Sequence, residues 1–224
     1  MKININFLLL FCLLFFVSSC SKDNLDTPTS YLQGKIMYNG ESLNLRGTGQ
    51  AVQLQLYQDG WQKHDPIPVY VGQDGSFSAN LFNGDYKLVT RDKNGPWVNT
   101  RDTLRITLKG HENVELNVTP YFLISDEQIT LSNFTLSVNC TIHKIVQEAK
   151  INKVICILST TQFADDVNNI YYSIIEQPTE DKVTFTTNLD TNKEIVEAKS
   201  LFARIGIQAE SADQAIYSKV IRLK

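Results

Sequence analysis

The side chains suited to covalent chemistry in this 224-residue chain are few and far apart. Three histidines, His64, His111 and His143, lack companion ligand patterns, and no Gly-x-Ser-x-Gly turn offers an activated serine. His143 reads as the polar phase of a strand, and His64 and His111 as turn residues, all solvated. Glycoside cleavage takes two opposed carboxylates at a separation that only a fold can set. Asp165-Asp166 with Asn168-Asn169, and Asp92 with Asn94, carry the oxygen ligands calcium takes, but neither has EF-hand spacing. Both read as polar loops. The chain is therefore expected to be a non-enzyme with no cofactor and no metal site.

Recognition chemistry is better represented. Tyr57 and Tyr70 fall on the polar phase of their strands, Trp61 lies in the turn between those strands, and Trp97 follows Gly95-Pro96 in a long loop beside Asn94. Exposed aromatic rings stack on the apolar C–H faces of sugars, and neighbouring Asn, Gln and Asp bond the hydroxyls. Such a cluster on a loop-rich face is a recognition patch. The candidate ligand-binding residues are Tyr57, Trp61, Tyr70, Trp97 and Asn94. Two alternatives stay open: Trp97 folds back to cap the sandwich edge, or Trp61 packs beneath a neighbouring loop. The same patch could also dock a protein, because Trp and Tyr are favoured there too.

The elements that would carry these residues are short strands. Leu32, Gly34, Ile36 and Tyr38 alternate up to the Asn39-Gly40 turn. Val52, Leu54 and Leu56 alternate up to Asp59-Gly60. Ile67-Pro68-Val69 forms a third run, whose proline argues for an edge. Phe77 to Leu81, Tyr86 to Thr90, Leu104 to Leu108 and Val114 to Val118 complete seven runs of period two, with a polar loop from Arg91 to Asp102. After Thr119-Pro120 the pattern restarts. Phe134, Leu136, Val138, Cys140 and Ile142 alternate, and Val154 to Leu158 is apolar on both faces, as in a central strand. Ile170–Ile175, Val183–Thr187, Leu201–Ala209 and Ala215–Leu223 follow, with Phe202, Arg204 and Gln208 on the polar phase of their strand. The fold class is all-β: two tandem β-sandwiches, over residues 31–120 and 121–224.

Composition bounds the partners. With 42% hydrophobic and 20% charged residues the chain can build a core, and a formal net charge of −3 gives no footprint for nucleic acid. Lys2 followed by the apolar run Phe7–Val17 and the small residues Ser18-Ser19 has the layout of a secretory signal peptide over residues 1–19. The run is shorter than the roughly 20 residues a membrane-spanning helix takes. Val17-Ser18-Ser19-Cys20 resembles the bacterial lipobox, which implies lipidation of Cys20 and a polar tether over residues 20–30. The membrane is then a partner through lipid alone. Cys140 and Cys156 sit inside apolar strand patterns and read as two core thiols, although an oxidising envelope would allow a disulfide between them.

Resemblances to known families extend this reading. Gly34-Lys35-Ile36, Asn39-Gly40-Glu41-Ser42-Leu43, Asp74-Gly75-Ser76-Phe77 and Leu81-Phe82-Asn83-Gly84-Asp85-Tyr86 resemble a transthyretin-like or carboxypeptidase-regulatory-like domain. Phe202-Ala203-Arg204-Ile205-Gly206-Ile207-Gln208-Ala209, followed by Tyr217-Ser218-Lys219-Val220-Ile221, resembles an immunoglobulin or fibronectin type III-like domain. It departs from that pattern at Ala203, where a corner tyrosine is usual. Some regulatory-like sandwiches hold a Lys–Asn cross-link, but the phases of Lys35 and Asn117 turn both toward solvent, away from the burial that chemistry needs. Asp102-Thr103-Leu104 resembles a short acceptor for O-glycosylation. The whole order is similar to an uncharacterised family of two-domain lipoproteins encoded beside SusC/SusD-type glycan importers. That resemblance implies an outer-membrane lipoprotein facing the cell exterior, accessory to the importer complex and binding polysaccharide or oligosaccharide without cutting it. A structural or adhesive lipoprotein that binds partner proteins is the alternative. The family carries no assigned activity, so it transfers no site residue.

Overall fold

Strands form where the alternation runs, and the computed structural model describes them over residues 27–60, 64–175 and 181–224. In the first half they are β1 (Ser30–Tyr38), β2 (Glu41–Ser42), β3 (Gln53–Gln58), β4 (Ile67–Tyr70), β5 (Ser76–Leu81), β6 (Gly84–Thr90), β7 (Trp97–Val98), β8 (Leu104–Leu108) and β9 (His111–Asn117). The second half has β10 (Thr119–Pro120), β11 (Phe122–Ser132), β12 (Thr135–Lys144), β13 (Ile151–Ser159), β14 (Tyr171–Ile175), β15 (Lys182–Asn188), β16 (Phe202–Ala209), β17 (Ile216–Tyr217) and β18 (Ile221–Arg222). One helical turn, α1 (Lys193–Glu197), is capped by Asn192, whose Oδ1 accepts from the Ile195 amide at 3.1 Å.

Two tandem β-sandwiches result. In the first, β1 is central to one sheet, antiparallel to β5 and parallel to β9, and β2 folds back on its end. The facing sheet runs β4-β3-β6-β8, so Pro68 lies on an edge strand, where its missing N–H costs no ladder bond. Leu32, Ile36, Leu54, Leu56, Phe77, Leu88 and Leu108 fill the space between them. Tyr86 closes a corner, its hydroxyl donating to the Phe82 carbonyl at 2.9 Å. The second sandwich packs β11-β12-β15 against β14-β13-β16-β17, with β18 also on β16.

Several elements depart from the sequence expectations. β11 carries no clean alternation because its register shifts between Ser125 and Gln128, where Asp126 has φ +53°. A bulge resets the phase of a strand and hides it from a period-two search. Phe134, expected to lead the alternation of β12, sits in the preceding turn at φ +59°. The polar loop from Arg91 contains β7, which pairs with β10, so the junction between the sandwiches is tied back onto that loop.

The largest departure concerns β16. Arg204, expected on a solvated face, is fully buried. The segment Asn44–Thr48 of the first sandwich reaches this face, its Asn44 carbonyl accepting from Tyr217 N at 2.9 Å and Thr48 bonding Asp165. Arg204 Nη1 donates to the carbonyls of Leu45 at 3.1 Å and Ala164 at 3.3 Å, Nε donates to Ser218 O at 3.0 Å, and the guanidinium lies 4.5 Å from the Tyr217 ring centroid. Ile155, Ile157 and Tyr217 are buried on the same face. Gly206 makes room for that ring: a Cβ there would stand 2.8 Å from Tyr217 and 2.9 Å from Ile155. Burial pushes the guanidinium down to about 10, still charged at neutral pH, and pushes the Tyr217 phenol up.

Candidate functional site

The first sandwich turns one face of the β9-β1-β5 sheet outward, and period two puts every second residue of three strands on it. Their register aligns three polar rungs: His111–Tyr31–Asn80, Asn113–Gln33–Ser78 and Glu115–Lys35–Ser76. Tyr31 and His111 stack with ring centroids 5.5 Å apart. Edge strand β4 supplies Pro68 and Tyr70 along one side, and the groove so bounded has a volume of about 660 Å³, within the range of small-ligand sites. Tyr31 and Tyr70 are 37% and 39% exposed, so both rings are available to a ligand. Asp74 fixes the turn at one end. Its Oδ1 accepts from Ser76 Oγ at 2.6 Å and Ser76 N at 3.1 Å, and these bonds hold its carboxyl below the usual range.

An aromatic stack, a second aromatic across the groove, and amides and hydroxyls between them can hold an amphipathic, hydroxylated ligand. The arrangement contains no nucleophile held by a base. Lys35 and Asn117 are both exposed, as their phase required.

Of the residues expected to bind, the structure brings only Tyr70 to this groove. Tyr57 is half-buried on the outer face of β3, four residues from Gln53, the register partner of Tyr70. At about 3.3 Å per residue the two tyrosines stand roughly 13 Å apart along the strand. Trp61 and Cys20 lie outside the described residues, as does the signal segment.

Trp97 is no surface residue. It is 3% exposed and lies on Gly95, where a Cβ would come within 2.1 Å of the indole. Asn94 is structural too: its Oδ1 accepts from Gln53 N at 2.6 Å and its Nδ2 donates to Ala51 O at 2.7 Å, pinning the loop to β3. The burial of Trp97 follows from the pairing of β7 with β10, which holds this loop against the junction.

The other candidates resolve into structural roles. Asp165 is buried, with Val167 N and Asn168 N donating to Oδ1 at 3.0 and 2.9 Å and Thr48 Oγ1 donating to Oδ2 at 2.5 Å. Oδ1 holds its own loop and Oδ2 serves the interdomain contact. Asp92 bridges to Arg101 at 2.6 Å and accepts from Asn99. His64 is exposed; His111 opens β9 instead of lying in a turn. Cys140 and Cys156 are free and buried, each pushed up to about 12 by burial. Thr103 is exposed just before β8.

Tyr31 and His111 escaped the sequence reading because they meet through a parallel pairing of segments 80 positions apart. The available signal was phase: Tyr31, Gln33 and Lys35, like His111, Asn113 and Glu115, occupy the polar positions of their strands.

This fold defines a two-sandwich protein with an amphipathic groove on one face of its first sandwich. The chain belongs to the DUF3823 family: residues 30–119 match the protein of unknown function (DUF3823) N-terminal domain, and residues 122–222 match the DUF3823_C domain of unknown function. A DUF3823 family protein from Parabacteroides merdae is 54% identical, with a TM-score of 0.85 over 89% of this chain and 100% of its own. Another from Bacteroides ovatus is 30% identical, with a TM-score of 0.75 over 87% and 98%. A Bacteroides uniformis structure described as a candidate carbohydrate-binding protein shares the fold at 14% identity, with a TM-score of 0.74 over 88% and 99%. Among curated proteins none matches the chain.

Proposed function

We propose that this chain is a non-catalytic lipoprotein of the outer-membrane surface, anchored through lipid on Cys20, that binds polysaccharide as an accessory to a SusC/SusD-type importer. In this reading residues 1–19 are removed on export, and residues 20–30 tether a transthyretin-like or regulatory-like sandwich followed by a fibronectin III-like one. The observation that carries it is the groove, where the Tyr31–His111 stack and Tyr70 flank the Gln33, Asn113 and Ser78 rung. The carbohydrate-binding description of the fold relative from Bacteroides uniformis lends support. Affinity electrophoresis against a polysaccharide panel tests it. At least one polymer should retard the full chain, and Tyr31→Ala together with Tyr70→Ala should clearly weaken the retardation; retardation by none, or unchanged in the variant, overturns it.

A second reading, a structural or adhesive lipoprotein that docks partner proteins, draws on the exposed Tyr172 and Ile174 of β14, 36% and 48% accessible. Co-purification with an importer pair, lost in Ile174→Asp and accompanied by no polysaccharide binding, would favour it. The anchor has its own test. Cys20→Ala should release the chain from membranes, and unchanged membrane retention counts against lipidation.

A further inference from the structure

A second concavity lies where the two sandwiches meet, at the end of β1 opposite Tyr31. Its volume is about 370 Å³, and it is walled by Tyr38 to Asn44 on one side and by β11, β12 and β17 on the other. Cavities of this size at domain boundaries, apolar with a few convergent polar groups, are where small ligands bind. The floor is apolar: Leu43 from the first sandwich, and Leu123, Ile124 and Ile216 from the second. Hydrogen-bonding groups of every kind stand around it. The Asn39 and Asn44 amides both donate and accept, Glu41 accepts, and Lys219 donates. Lys219 is exposed and has no ion pair among the described residues.

The wall of this cleft is shaped by the β11 bulge. Asp126 at φ +53° turns the strand so that Ser125 Oγ reaches His143 Nε2 at 2.7 Å and donates to Asp126 Oδ2 at 2.8 Å. A hydroxyl has one proton, and here the carboxylate takes it. The imidazole–serine bond then takes its proton from His143 Nε2, and the bond holds the ring in place. Bulges and left-handed non-glycine residues recur where a side chain has to be aimed.

We propose that this cleft is a second saccharide site, seating a terminal sugar unit of the polysaccharide with one C–H face on Leu43, Leu123 and Ile216. Its hydroxyls bond to Asn39, Glu41, Lys219 and His143. The inference rests on the saccharide reading of the protein but uses none of the groove residues. Because Arg204 and Asp165 lock the sandwiches together, groove and cleft are held at a fixed span, and one chain reaching both binds with the effective concentration that such a span sets.

His143 lines the cleft and His111 stacks on Tyr31 of the groove, so the imidazole NMR signals of the full chain separate the two sites. Signals are assigned with His111→Gln and His143→Gln, and the probes are short oligosaccharides prepared from starch, xylan, pectic galactan and mannan. At least one probe should shift His143 saturably, and Lys219→Ala should weaken that response about ten-fold, the loss of one charged hydrogen bond, while leaving His111 unmoved. A shift at His111 with His143 silent for every probe overturns the cleft and keeps the groove. A shift at His143 alone keeps the cleft and overturns the groove, and silence at both overturns the two together. A His143 shift that Lys219→Ala leaves intact also overturns the cleft as drawn.

Discussion

Trp97 and Tyr31 exchange the roles their sequence contexts suggest, and the reason lies in what each packs on. Trp97 follows Gly-Pro in a polar loop, the setting of an exposed ligand-stacking ring, yet the β7–β10 pairing folds that loop onto the junction and buries the indole over Gly95. Tyr31 is the second residue of the first strand, has no local mark, and gains meaning only when His111 arrives beside it. Trp97→Ala should thus cost about 3–5 kcal/mol in urea unfolding while the folded fraction still binds polysaccharide. Tyr31→Ala should change stability by no more than about 0.5 kcal/mol and weaken binding. A Trp97→Ala protein of native stability that no longer binds would restore the loop patch. Core cysteine was legible from the alternation around Cys140 and Cys156, and its chemistry follows from burial. With both thiols pushed up to about 12 from 9.0, the unfolded chain gives up these protons first. The stability they contribute is present below pH 9 and is lost as pH rises toward 12. The native thiols should resist Ellman's reagent at neutral pH and react only on unfolding. Urea midpoints should fall above pH 9, less steeply in Cys140→Ala/Cys156→Ala. Rapid native labelling would contradict this account.

At the scale of elements, the sequence was readable wherever one strand had one wet face. β1, β3, β5, β6 and β8 show their alternation because the outer side of each faces solvent. β16 was misread because the same alternation there has two buried faces: Ala203, Ile205 and Ile207 point into the second core, while Arg204 and Gly206 point at the first sandwich. A polar residue on the outer phase is no proof of solvent when buried carbonyls, one of them from another domain, take its hydrogen bonds. Gly206 is the sharper witness, since the pattern gives no reason for a glycine mid-strand until the Tyr217 ring is seen lying across it. Gly206→Ala should cost about 1–3 kcal/mol through overpacking, measured as a lowered urea midpoint with unchanged slope. A neutral outcome would mean that Tyr217 has room to move aside. β11 was invisible for a related reason, its phase reset by a bulge that also shapes the cleft wall.

For the whole molecule, two sandwiches were legible but their coupling was not, because it is built from backbone carbonyls and loop segments that no periodicity reports. Arg204 Nη1 reaches Leu45 O, Tyr217 N donates to Asn44 O at 2.9 Å, Asp213 N donates to Lys93 O at 3.0 Å, and Thr48 bonds Asp165. These contacts border the apolar cluster of Ile155, Ile157, Ala164, Ala215 and Tyr217 in the second sandwich. Neither half can then open without exposing the other's buried surface, so the full chain should unfold in one calorimetric transition whose van't Hoff and calorimetric enthalpies agree. Arg204→Ala removes the donors of three carbonyls and leaves a cavity at the seam. Unsatisfied buried acceptors cost about 1–3 kcal/mol each, and in a domain pair of this size each kcal/mol lowers the midpoint by roughly 2–4 °C. The variant should melt well below the parent and, because the bond to Leu45 O that joins the halves is lost with the side chain that fills the seam, should divide into two transitions. A parent protein that already melts in two steps would show that the sandwiches are only neighbours. The fixed span between groove and cleft would then go with the coupling, because a bivalent grip on one polysaccharide needs the rigid seam that Arg204 holds.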